Sequence, residues 1–180
     1  MTGIIRAIQA LSTLVGYIGA WVMAPLVVSM VYEVVSRHLL DAPTYWAYEA
    51  GYMMAGTCYM FGMAYCLRVG GHIRVDFIYD QLGAKGQAVI DMLGYLILML
   101  PCCIWVTWGL YEYAMEAYVS QEQSGESAWN PLIWPFRTVW VIGFLALTLQ
   151  GVAELMKAGR RFAGLPNPDD EVGNEMEQPA

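Results

Sequence analysis

A chain of 180 residues with 58% hydrophobic and only 14% charged side chains is too apolar for a soluble domain of this length, in which roughly a quarter of residues are charged. With a formal net charge of −7 and no soluble basic patch, nucleic-acid binding has no support. The charge says little else about partners, because five of the sixteen acids lie in the tail between Asp169 and Glu177.

The first element is the run from Ala7 to Tyr32, which carries no charged side chain. Its 26 residues make a helix of about 39 Å at 1.5 Å per residue, and a bilayer core needs only about 20 apolar residues. The run is too long for a secretory signal, and no clean small-x-small cleavage site follows it. It reads as a retained first span. Gly16, Ala20 and Ala24, spaced by four, allow close helix packing, and Pro25 predicts a kink.

The next stretch holds Arg37, His38, Asp41, Trp46 and Glu49. Trp46 and Tyr48 suit an aromatic belt at the membrane surface. Glu49 precedes the second uncharged run, Ala50 to Leu67. A buried acid there costs about 2.5–3.5 kcal/mol on insertion scales unless it faces protein or water. Arg37 is the expected partner, giving an Arg37–Glu49 pair across the end of the hairpin. A proton-relay role for Glu49 is the alternative.

After that run comes Arg68-Val-Gly-Gly-His72-Ile-Arg74-Val-Asp76, a basic, polar hinge. Gly70-Gly71 allows a sharp turn. Val75, Ile78, Tyr79 and Leu82 fall at i, i+3, i+4 and i+7, with Asp76 and Asp80 on another face. This pattern predicts a short amphipathic helix lying in the membrane interface over about 72–87. Arg68 and Arg74 can reach lipid phosphates from it. The same segment could instead dock another subunit.

A third uncharged run extends from Met92 to Tyr111, with Pro101 predicting a kink and Asp91 near its start. The loop from Ser120 to Pro135 is polar and then aromatic, and reads as a stiff membrane anchor or as a contact for an extracytoplasmic partner. The fourth run, Thr138 to Ala153, is extended across Arg137 by Leu132 to Phe136. Residues 162–180 are acidic and lack an apolar period, which predicts a disordered tail.

Backbone groups in lipid must be paired internally, so these runs are expected to be helices. The expected fold is an all-α integral membrane protein over residues 1–161, with spans at about 7–35, 46–67, 89–118 and 132–156. With the N-terminus inside, seven Lys and Arg (Arg6, Arg68, Arg74, Lys85, Lys157, Arg160, Arg161) lie inside and two (Arg37, Arg137) outside. The positive-inside rule then places both termini in the cytoplasm.

Chemistry is sparse. His38 and His72 fall on opposite membrane sides in this topology, which argues against a shared haem. Cys58, Cys66, Cys102 and Cys103 lack metal-type spacing. No nucleophile, phosphate-loop or zinc-protease motif is present. No enzyme activity, cofactor or metal is expected. The spans also lack the converging charges and paired broken helices of a transporter that works alone.

The order Arg37, Trp46, Glu49, an uncharged span, then Arg68-x-Gly-Gly-His72-Ile-Arg74-Val-Asp76 resembles the small membrane subunit of tripartite ATP-independent periplasmic (TRAP) transporters, the DctQ-like component. Trp129-Asn130-Pro131-Leu132-Ile133-Trp134-Pro135 and Leu149-Gln150-Gly151 also resemble members of this family. The resemblance implies a small permease subunit in a bacterial inner membrane. Its partners would be a large multi-span permease subunit, a periplasmic substrate-binding protein and membrane lipids. Uptake of an organic acid or related solute would be driven by sodium. The substrate and ion sites would lie on the large subunit, so Arg37, Trp46, Glu49, Arg68, His72, Arg74 and Asp76 carry structural or interface roles. The other readings are a membrane anchor of a redox enzyme and a standalone small channel.

Overall fold

In the computed structural model, residues 2–71 and 82–165 are described. The described residues form five α-helices: α1 (Thr2–Leu39), α2 (Ala47–Arg68), α3 (Ala84–Leu93), α4 (Leu100–Ser120) and α5 (Trp134–Phe162). A π turn over Gly94–Met99 joins α3 to α4, so the two act as one long rod. The start of α1, the end of α2, the start of α3 and the end of α5 share one end of the bundle, called here the terminal end. The α1–α2 and α4–α5 connections share the other, the loop end.

Three of these rods are long and apolar enough to cross a membrane: Thr2–Leu39, Lys85–Ser120 and Trp134–Phe162. They contain the uncharged runs expected for spans one, three and four. The second expected span, α2, has 22 residues, but its four tyrosines and three glycines leave it less apolar than the others. Residues 84–87 of the expected interfacial helix open α3. Residues 72–81 of that segment and 166–180 of the expected tail lie outside the described residues.

The helix ends follow local rules. Gly70 ends α2 with φ +70°, Gly71 N–H bonding to Cys66 O at 3.0 Å and Gly70 N–H to Leu67 O at 3.2 Å. Gly164, φ +71°, ends α5 in the same way, with Leu165 N–H on Arg160 O at 2.9 Å. Both are Schellman caps, which satisfy the last carbonyls of a helix. α1 continues unbroken through Pro25. The wider π repeat precedes Pro101, whose missing N–H and bulky ring disturb the preceding turn. Thr13, Thr57, Thr107, Thr138 and Thr148 each donate to the carbonyl four residues earlier, which leaves no hydroxyl of theirs to be solvated.

α5 is the centre of the bundle: it touches every other element. A third (33%) of its most apolar stretch is buried, against 17% for α1 and 11% for the α3–α4 rod. α2 lies against both α1 and α5, and glycines let it approach closely. A Cβ on Gly16 would sit 2.6 Å from Tyr65 Cβ, and one on Gly19 2.9 Å from Phe61 Cβ. On the α5 side, a Cβ on Gly143 would sit 2.9 Å from the Met60 carbonyl oxygen. Val15, Phe61, Ala64 and Ala146 form the buried cluster where the three helices meet.

Because the Gly143 obstacle is backbone, Gly143→Ala should separate α2 from α5 and destabilise the protein by about 1–3 kcal/mol. Gly109 faces open space, so Gly109→Ala should be neutral or stabilising by up to about 1 kcal/mol. Thermal melts of both variants in detergent check this, and equal effects would show that the close approach is not what holds α2.

Candidate functional site: polar ties at both ends of the bundle

At the loop end, the last turn of α1 holds down the connection to α2. Glu33 and Arg37 are one turn apart on the same face, and Arg37 Nε donates to Glu33 Oε1 at 2.9 Å. The other carboxylate oxygen, Oε2, accepts from Thr44 N–H at 2.9 Å and also from the Thr44 hydroxyl. Ser36 Oγ donates to Ala42 O at 2.7 Å. Trp46 sits at the N-cap of α2 and stacks on Tyr32, ring centres 6.0 Å apart.

Glu49 is fully buried, at 0% exposure, in the first turn of α2. Its Oε1 accepts from Ser124 Oγ at 2.6 Å, and its Oε2 has no hydrogen-bond partner among the described residues. This corrects the expected Arg37–Glu49 pair. Arg37 is captured by Glu33, four residues back on its own helix, where side chains at i and i+4 are neighbours. Glu49 points inward and meets the α4–α5 loop instead.

That loop is built rather than loose. Gln123 and Leu132 form a β-bridge, Ser124 N–H bonds to Pro131 O at 3.0 Å, and Ile133 N–H to Glu122 O at 3.0 Å. Asn130 Oδ1 accepts from Gly125 N–H at 2.8 Å. Glu122 receives both Nη atoms of Arg137 at 2.7 Å. The Arg137 guanidinium lies 3.5 Å from the centre of the Tyr113 ring. Arg137 is therefore buried one turn inside α5, planar against a ring and forked onto a carboxylate, the geometry that suits a guanidinium.

A second tie joins α1 to α5 nearer the terminal end. Ser12 Oγ donates to Gln150 Oε1 at 2.7 Å, although the residues are 138 apart in sequence. Gln150 Nε2 donates to Glu154 Oε1 at 2.8 Å, and Lys157 Nζ lies 2.6 Å from that same oxygen. Arg161 pairs with Asp91 at 3.4 Å, linking α5 to α3. Both Asp91 and Glu154 thus have cationic partners close by.

Of the residues singled out from the sequence, Arg37, Trp46 and Glu49 share the loop end, and Arg68 closes α2 at the other. His72, Arg74 and Asp76 lie outside the described residues. His38 is in the last turn of α1. Sequence reasoning missed Glu33, Ser124, Glu122 and the inward turn of Arg137. Only the Glu33–Arg37 spacing offered a local signal.

The ties bind helices to loops and to one another, and the charged members are largely paired within the chain. Residues 26–161 match the model of the family described as "Tripartite ATP-independent periplasmic transporters, DctQ component". The chain belongs to the DctQ family. It is accordingly a membrane protein and a component of a TRAP transporter, not an enzyme. No curated protein matches it. For this DctQ protein the polar ties fall almost wholly inside the matched stretch, with Ser12 the exception.

The Arg137–Glu122 tie is asymmetric: the Arg137 side chain is 5% exposed and that of Glu122 42%. Glu122→Gln leaves a buried guanidinium facing a neutral amide. Arg137→Met leaves a carboxylate that water already reaches. Glu122→Gln should therefore cost more, by on the order of 1–3 kcal/mol, in detergent unfolding titrations. The reverse order would show that the Tyr113 ring and carbonyl hold Arg137 without the carboxylate.

Proposed function

We propose that this DctQ protein is the fixed small permease subunit that braces a large multi-span permease subunit in the bacterial inner membrane. In this reading the complex takes up an organic acid or related solute from a periplasmic binding protein, driven by sodium. Four helices cross the bilayer, α2 being the fourth, and both termini are cytoplasmic. The loop end then faces the periplasm, and the terminal end carries most of the Lys and Arg.

The observation that carries the bracing role is how the charged groups are used. Among the described residues, the buried acids and bases at the loop end are engaged with this chain's own loops: Glu33 with Arg37 and Thr44, Glu49 with Ser124, Arg137 with Glu122. They do not converge on a common cavity in the spans. Transported ions or anions need such a convergence. A helix bundle tied at both ends and apolar outside resists displacement along the membrane normal, which suits the stationary part of a machine whose other part moves.

Affinity purification of the tagged chain from its native membrane in mild detergent, followed by mass spectrometry, tests the partnership. A large polytopic permease in stoichiometric amount is expected. A flavin or iron–sulfur subunit in its place would overturn the reading. Orientation is tested separately in a cysteine-free background. A cysteine at Lys85 should react with an impermeant reagent only from the cytoplasmic side, and one at Ser127 only from the periplasmic side. The opposite pattern would invert the topology.

A further inference from the structure

Between α1 and α2 the surface is indented by an open, apolar groove of about 380 Å³. Tyr17, Ala20, Met23, Cys58, Gly62 and Tyr65 are among its lining residues. Gly16 and Gly19 also border it, but their missing side chains are already used by Tyr65 and Phe61. Gly62 differs, because a Cβ there would meet nothing within 4 Å. A glycine inside a helix costs stability relative to alanine, and here the chain's own packing does not require it. What Gly62 preserves is the depth of the groove.

The groove runs along the helices. From Gly16 to Met23 it follows about 10 Å of α1 at 1.5 Å per residue. Over that length the groove is open along its side and lined almost wholly by apolar atoms. Such a lining suits a hydrocarbon chain. Three residues beyond Tyr65, toward the terminal end, stands Arg68. Its side chain has no hydrogen-bond or ion-pair partner among the described residues. A long basic side chain at a helix end reaches to the membrane surface, where anionic headgroups lie.

We propose that the α1–α2 groove binds an anionic phospholipid of the leaflet on the Arg68 side, with an acyl chain along Gly62 and the headgroup at Arg68. In the orientation given above this is the cytoplasmic leaflet. The inference concerns this chain alone and does not depend on the identity of the transported solute or of the large subunit.

The test uses the full chain in mixed micelles containing equal amounts of phosphatidylglycerol and phosphatidylcholine, read by native mass spectrometry. The wild type should retain one phosphatidylglycerol in preference to phosphatidylcholine. Gly62→Leu projects a side chain into the groove from a position where a Cβ meets nothing within 4 Å, and should lower lipid retention at least fivefold with helicity and Tm little changed. Arg68→Gln leaves the groove intact, and should keep a bound lipid while losing the preference for phosphatidylglycerol. Undiminished phosphatidylglycerol retention in both variants would overturn the proposal. So would a Gly62→Leu protein that keeps its lipid but no longer co-purifies with its membrane partner, since the groove would then hold a segment of protein. If Gly62→Leu does not fold, the Arg68→Gln preference decides alone: unchanged selectivity rejects the site.

Discussion

The close approach of α2 to its two neighbours is the constraint on which the rest of the bundle depends. In lipid the hydrophobic effect does not drive helices together, because the solvent is as apolar as the side chains. Contact must come from packing and from polar ties. Gly16 and Gly19 let α1 press on Tyr65 and Phe61, and Gly143 lets α5 reach the Met60 backbone. With α2 seated this way, the first turn of α2 brings Glu49 beneath the α4–α5 loop, where Ser124 meets it. Without that seating, a fully buried carboxyl group would be exposed to hydrocarbon at a cost of several kcal/mol.

The polar ties divide the work between the ends. At the loop end, Glu33 and Ser36 fold the α1–α2 connection back onto α1, and Arg137 and Glu122 fold the α4–α5 loop back onto α5. Glu49 then joins the two folded loops. Toward the terminal end, Ser12 and Gln150 join the first helix to the last across the bundle. A tie made only between neighbouring helices would let the outer pairs splay. Joining α1 directly to α5 closes the bundle, since α5 is the element all others touch.

Much of this architecture was legible in the sequence, for physical reasons that also set the limit. Long uncharged runs, the last of them extended across Arg137, exposed α1, the α3–α4 rod and α5. Gly70 marked the end of α2, because a left-handed residue is needed there and glycine adopts it without strain. The partner of Arg37 was misread: the hairpin geometry favoured Glu49, while the i, i+4 neighbour Glu33 was closer and its carboxylate also met the Thr44 backbone. The Ser12–Gln150 bond had no local signal, because its two halves are ordinary helix residues until the tertiary fold makes them neighbours. From the sequence, Arg137 was only a charge interrupting the start of the fourth apolar run. Its burial depends on a loop carboxylate and a ring from α4 arriving together.

The distribution of small residues carries the argument outward. The glycines that permit backbone contact in α1 and α5 are consumed inside the bundle, and most of the outward surface is bulky: Trp21, Leu98, Trp105 and Val119 are each 77% exposed. A surface of large side chains keeps a neighbouring helix at a distance, because backbones approach closely only where side chains are small. Away from the helix ends, Gly62, Gly94 and Gly109 face open space. Gly62 lies in the α1–α2 groove, whose apolar lining suits an acyl chain. Gly94 and Gly109 lie on the α3–α4 rod, whose most apolar stretch is the least buried of the three long rods. A bundle that spends its close contacts on itself is stiff, and it meets what surrounds it chiefly through large, apolar side chains.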